Sequence, residues 1–111
     1  MPGRLRARLW VDAYLTRLRL AGIPAFVVAH GDDAAGAVAV KLNTLDGRAA
    51  LYQRAFDLMR DRRAWVMLRE GTEASIDALI AGQRRGDPDL WVIEVEDRAG
   101  RHLLDEPGLA E

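Results

Sequence analysis

The sequence predicts one α+β domain over residues 1–111, a mainly antiparallel sheet of about five strands with two helices, in the order α-β-β-β-β-α-β(-β). Three observations point there. Apolar residues recur at helical spacing in two segments, near residues 5–21 and 72–86. Other segments are short runs, alternating or wholly apolar, at strand length. The connections are short and rich in Gly, Asp and Pro, which favours antiparallel pairing of successive strands.

Residues 5–21 form the first predicted helix. Ala7, Trp10, Val11, Tyr14, Leu18 and Ala21 share one face. Gly22 suits the left-handed position after a helix, and Pro24 stops it. Ala25–His30 is an apolar run of strand length, and residues 31–36 are a turn by composition. Residues 37–43 alternate, with Val38, Val40 and Leu42 on one face. These two runs are expected to pair as a hairpin. Asp46-Gly47 is a two-residue hairpin turn and requires a returning strand at Ala49–Phe56. Tyr52, Phe56 and Met59 also fit helical spacing, so the turn decides for strand over residues 48–60. Arg60–Arg62 turns again, and Ala64–Leu68 is a further strand.

Thr72 is a suitable N-cap for the second helix, and Glu73 in its first turn meets the positive end of the dipole. Ile76, Leu79, Ile80 and Gln83 share a face, and Gly86 and Pro88 end the helix. Leu90–Glu96 is the clearest strand. Trp91, Ile93 and Val95 point one way and Leu90 and Val92 the other, so its first half is buried on both faces. Residues 97–100 turn, Arg101–Leu104 is expected to return as a short edge strand, and Asp105–Glu111 is expected to fray. Both helices are expected to cover one face of the sheet.

The chain's 111 residues suit one domain, which buries roughly two-thirds of its unfolded surface. A composition 50% hydrophobic and 30% charged excludes a disordered chain. No apolar run approaches the roughly 20 residues that span a bilayer, so no membrane partner is expected. Asp12, Arg17 and Arg19 interrupt what would be the apolar stretch of a secretion signal. The absence of cysteine excludes disulfides, Cys-ligated zinc and thiol nucleophiles, and the expected location is the cytoplasm.

A net charge of −1 gives no global electrostatic case for nucleic acid or membrane. The charge is nevertheless uneven. Arg4, Arg6, Arg8, Arg17 and Arg19 face a single acid, Asp12, in the first helix. Glu94, Glu96, Asp97, Asp105, Glu106 and Glu111 outnumber Arg98 and Arg101 in the tail. Lys41 is the only lysine, an arginine bias that a GC-rich genome also produces.

The first helix carries more apolar surface than one neighbour covers. Leu5, Leu9, Ala13 and Leu20 fall opposite the Trp10/Tyr14/Leu18 face, with arginines on both flanks. Either the second helix covers this stripe, or it is a subunit interface rimmed by arginines.

Gln83–Trp91 is the most distinctive segment for chemistry. Arg84 and Arg85 suit bidentate contacts to phosphate or carboxylate, and Asp87 or Asp89 could serve as a base. The structural explanation is favoured: cations complement a helix C-terminus, and Asp-Pro forms turns. Glu94, Glu96 and His102 have the residue types of an acid–base or hard-metal site, but acidic pairs more often protect a strand edge. His30-Gly31-Asp32-Asp33 matches no metal-loop register, and there is no nucleophile elbow, GxGxxG or Walker loop. No cofactor and no metal are expected.

Several segments together resemble a known family. They are Gly22–Ala25, Ala35–Val38, Leu45–Gly47, Gln83-Arg84, Asp87–Val92 and Glu94–Arg98, with residues 87–102 the most specific block. The chain resembles the short alphaproteobacterial proteins catalogued as domain of unknown function 1491. That resemblance implies a bacterial cytoplasmic protein of about this length, and it implies no activity, ligand or catalytic residue.

The expected function is a small, non-enzymatic interaction module that self-associates as a homodimer through Leu5, Leu9, Ala13 and Leu20. The alternative is an enzyme or small anionic-ligand binder using Arg84, Arg85, Asp87, Arg101 and His102 beside the last strand. Nucleic-acid binding comes third, because the first helix's arginines form no continuous face and the sequence pI is near 6.1.

Overall fold

The computed structural model describes residues 6–110. Its elements are α1 (Ala7–Leu20), β1 (Ala25–Ala29), β2 (Val38–Asn43), β3 (Arg48–Asp57), β4 (Arg62–Thr72), α2 (Glu73–Gly86) and β5 (Trp91–Glu96). The fold class and element order are those predicted. The ambiguous stretch is a strand, as its turn requires. Gly47 takes φ +86° at the turn, and β3 returns along β2 with Asn43 opposite Ala49 and Val40 opposite Tyr52.

The sheet order is β1-β5-β2-β3-β4. β2, β3 and β4 form an antiparallel meander, while β5 runs parallel to β2 from Val38↔Trp91 to Asn43↔Glu96. The expected β1–β2 hairpin therefore does not form, because β5 lies between the two strands. The reason is in β5 itself. Its first half is apolar on both faces, which suits a central strand, and α2 supplies the crossover that parallel pairing needs. The five-residue β1 is left at the edge, antiparallel to β5 with Val27 opposite Ile93.

The helices cover opposite faces, not one. Strand alternation divides the core accordingly. Trp10, Val11, Tyr14 and Leu18 of α1 pack with Val40, Leu42, Trp91, Ile93 and Val95. Ile76 and Ile80 of α2 pack with Ala39, Leu51, Leu90 and Val92. α2 must cross over β3 and β2 to join two strands of the same direction, which fixes it on that face. Thr72 caps it as predicted, its Oγ1 accepting from Ser75 N at 3.2 Å.

The C-terminal tail takes the place of the missing second helix on the α1 face. Residues 101–104 form no strand, and the tail through Ala110 is packed where fraying was expected. Leu104 and Leu109 are each 1% exposed. The indole Nε1 atoms of Trp10 and Trp65 both donate to the Leu109 carbonyl, at 3.2 and 3.1 Å. The Tyr14 hydroxyl donates to the His102 carbonyl at 2.7 Å, and Arg17 donates to Glu106 Oε1 at 3.2 Å and to the Pro107 carbonyl at 2.8 Å.

Candidate functional site

β3 and β4 run on past the start of β2. The β2–β3 pairing stops at Val40↔Tyr52, while β3 and β4 stay paired out to Asp57↔Arg62. The space beside this overhang is closed by the start of α1, the end of α2 and the loop before β2. It forms an open groove of about 960 Å³.

One wall of the groove is aromatic and cationic. The Trp10 and Trp65 rings stack with centroids 5.0 Å apart, and the Arg54 guanidinium lies 5.5 and 5.1 Å from them. Such contacts hold a flexible arginine in one place. Arg63 stands beside it, exposed, and donates to the Arg54 carbonyl at 3.5 Å. Gln53 and Gln83, which also line the groove, pair their amides at 2.6 and 3.4 Å, and Asp87 lines it too. The small residues Ala34-Ala35-Gly36-Ala37 of the loop before β2 line it as well. That loop lies tight on the chain beneath: a side chain at Gly31 or Gly36 would collide with the Asp89 carbonyl.

The structure separates the five residues predicted as an anionic-ligand site. Asp87 lines the groove, and Arg84 is spent locally on the Pro88 carbonyl at 3.0 Å. Arg85 is exposed beside it in the last turn of α2. Arg101 follows the other end of β5, a six-residue strand that spans roughly 20 Å, and the chain then turns back so that His102 lies against Tyr52, the partner of Val40 in β2. Arg101 binds Asp97 through Nη2 at 2.8 Å and Nε at 3.1 Å, and this pairing holds the Asp97 carboxyl below its ordinary pKa. The His102 ring packs on Tyr52 at 4.6 Å, and its Nδ1 accepts from Leu104 N at 2.9 Å. Burial pushes its pKa down, against a smaller opposing effect of Asp105. Glu94, on the α2 face, does not meet this histidine on the α1 face.

Glu94 belongs to a cluster that the sequence reading missed. The Lys41 side chain is 5% exposed and its Nζ meets Asp77 at 2.7 Å, Glu73 at 2.8 Å and Glu94 at 3.3 Å. Asn43 Nδ2 bridges Glu73 and Glu94, at 3.1 Å each. Burial alone would lower the lysine pKa. Hydrogen bonds to Asp77 and Glu73, with the charge of Glu94, outweigh it and hold the ammonium above the ordinary lysine range. The signal was present in the sequence as a single lysine between Val40 and Leu42 of a core strand.

The outer stripe of α1 has no neighbour among the described residues. With α2 on the opposite face, Leu9 is 55% and Leu20 78% exposed, and Ala13 is exposed between them. Leu5, the fourth member of the predicted stripe, lies outside the described residues. Arg8 pairs with Asp12 at 3.6 Å along the flank, and Arg19 lies on the same side.

No helix among the described residues is long and apolar enough to cross a membrane. No curated protein matches the chain. Solved structures do. A family protein from Caulobacter crescentus, known from a crystal structure, is 40% identical with a TM-score of 0.82, over 94% of this chain and 98% of that one. A solution structure of a family protein from the same organism gives 41% identity and a TM-score of 0.77, over 93% and 94% of the two chains. A protein of A. tumefaciens is 37% identical with a TM-score of 0.71, over 84% and 86%. The model of the family described as protein of unknown function (DUF1491) matches residues 5–105, so the chain belongs to the DUF1491 family.

Proposed function

We propose that the chain is a small cytoplasmic bacterial interaction module that self-associates through the outer face of α1. The observation that carries this reading is the stripe of Leu9, Ala13 and Leu20, which the fold leaves uncovered by placing α2 on the other side of the sheet. Two-fold homodimers are the commonest soluble assemblies, and an antiparallel pairing of α1 with its copy suits this stripe. About the middle of the helix, Leu9 of one copy meets Leu20 of the other, Ala13 lets the backbones approach, and Asp12 comes opposite Arg19. The flanking arginines fit an interface rim, where they are favoured.

Sedimentation velocity across micromolar concentrations tests the reading. The native chain is expected to sediment as a dimer. The double variant Leu9→Glu/Leu20→Glu is expected to keep its far-UV circular dichroism and melting temperature and to sediment as a monomer. A native chain that stays monomeric, or a double variant that dimerises as the native chain does, would contradict it.

A further inference from the structure

We infer that the outer edge of β1 and the pocket beside its first residue form one binding site, distinct from the stripe on α1, and that its ligand is the free C-terminus of an extended peptide ending in an aliphatic residue. The edge is the first observation. Glu96 N donates to the Pro24 carbonyl at 2.9 Å, and Phe26 stands opposite Glu94. Main-chain groups alternate in direction along an antiparallel pair, so those of Pro24 and Phe26 face β5 and those of Ala25 and Val27 face outward. Among the described residues no strand pairs with that side. Phe26, Val27 and Val28 are exposed there, and no Asp, Glu, Lys or Arg lies between Arg19 and Asp32 to discourage strand addition.

The pocket is the second observation. Leu15, Arg19, Ile23 and Ala25 help to line a space of about 370 Å³ between α1 and the start of β1, near the lower end of the roughly 300–1,000 Å³ of ligand sites. At about 100° per residue, Leu15 and Arg19 lie on the flank of α1 opposite Arg17, which is bound to the tail. Leu15 and Ala25 are partly buried against the core. The Arg19 side chain is exposed and has no hydrogen bond or ion pair among the described residues. Edge and pocket are in register. Ala25 packs on the α1-face core, and Val27 stands opposite Ile93 of that core, so both side chains take the α1 face. A peptide antiparallel to β1 puts its residues opposite these two on the same face. With its last residue opposite Ala25, the aliphatic side chain enters the pocket against Leu15. One carboxylate oxygen accepts from the Ala25 N–H, and the other meets the Arg19 guanidinium. The added ladder stops at this point, because the next outward position, Ile23, already donates its N–H to the Leu18 carbonyl at 2.9 Å. A chain end therefore fits here better than a chain that continues.

Fluorescence anisotropy of an N-terminally labelled peptide, Ser-Thr-Val-Ser-Leu with a free C-terminus, tests the inference on the full chain. The native chain is expected to bind it saturably, one peptide per chain. The same peptide as a C-terminal carboxamide should bind at least about tenfold more weakly, the scale of a lost charge-assisted contact. N-methylation of its last peptide bond removes the donor to the Ala25 carbonyl without touching the protein, and should abolish binding. Arg19→Gln should weaken the acid about tenfold and leave the carboxamide unchanged. Arg98→Gln, on the far turn, should change nothing. The Leu9→Glu/Leu20→Glu chain should bind at least as tightly as the native one, since Asp12 of a paired copy no longer competes for Arg19, so a failure of self-association leaves this result standing. The inference is overturned by non-saturable binding, by equal affinities for acid and carboxamide, by an N-methylated peptide that still binds, or by equal effects of Arg19→Gln and Arg98→Gln. A Leu9→Glu/Leu20→Glu chain that takes no peptide, and dimerises until Val27→Lys is added, would assign the edge to a second copy and overturn it as well.

Discussion

Lys41 is the one lysine among 16 basic residues, and it stands where the shape of an ammonium matters. Its three donors meet three carboxylates, Glu73 and Asp77 of α2 and Glu94 of β5, and a planar guanidinium would not fit that arrangement at one nitrogen. Lys41→Met would leave Glu73, Asp77 and Glu94 facing one another without a cation. Such a loss should cost about 3 kcal/mol in urea unfolding at neutral pH. An unchanged midpoint would show the cluster to be energetically idle. His102 gives a second expectation at this scale. Its folded pKa lies below its ordinary 6.5, so the unfolded chain binds the proton more readily. Stability should therefore be full above that value and decline as pH falls through it, since protonating Nδ1 also removes the acceptor for Leu104 N. His102→Gln should flatten this acid decline in thermal melts between neutral and mildly acid pH. At this scale the sequence was least legible. The partners of Lys41 are remote along the chain, and Arg101 and His102 looked like ligand groups because spacing does not show that Asp97 and Tyr52 already engage them.

Local elements were read best where one residue dictates the backbone. Asp46-Gly47 compelled the returning β3, Gly22 and Pro24 ended α1, and Thr72 capped α2. Pairing between remote strands was read less well. Nothing in the β1 sequence says that its neighbour is the last strand; the doubly apolar start of β5 was the available hint. The tail was misread for the opposite reason. Pro107, Gly108 and the acids around them look like a loose end, and only the open α1 face turns Leu104 and Leu109 into core. Leu109→Ala should cost about 3 kcal/mol, the usual scale for a buried leucine, and free the tail from both indoles. Tryptophan emission should shift to the red as Trp65 meets water. A stable variant with unshifted emission would mean that the tail contributes little.

The whole molecule follows from where α2 crosses. That crossover puts one helix on each face, gives the tail its place, and leaves the outer side of α1 open. Among the described residues no strand pairs with the outer side of β1 or of β4, but these two edges differ. β4 carries Arg62, Arg63, Arg69 and Glu70, charges that discourage strand addition, whereas Phe26, Val27 and Val28 of β1 are exposed and uncharged. The double variant of α1 separates these surfaces, because it leaves β1 intact. The fold class was legible in the sequence at this scale, and so was the excess of apolar surface on α1. The side of the sheet on which α2 would fall was not, since handedness applies only once the parallel pairing of β2 and β5 is known.

The absence of native cysteine allows a direct measurement of the pairing itself. A single Ala13→Cys substitution places one thiol at the centre of the stripe, and Arg98→Cys places one on a distant turn. Under mild oxidation at micromolar concentration, Ala13→Cys should form a disulfide-linked dimer in high yield, and Arg98→Cys should not. Equal and slow crosslinking of the two variants would contradict an α1–α1 interface.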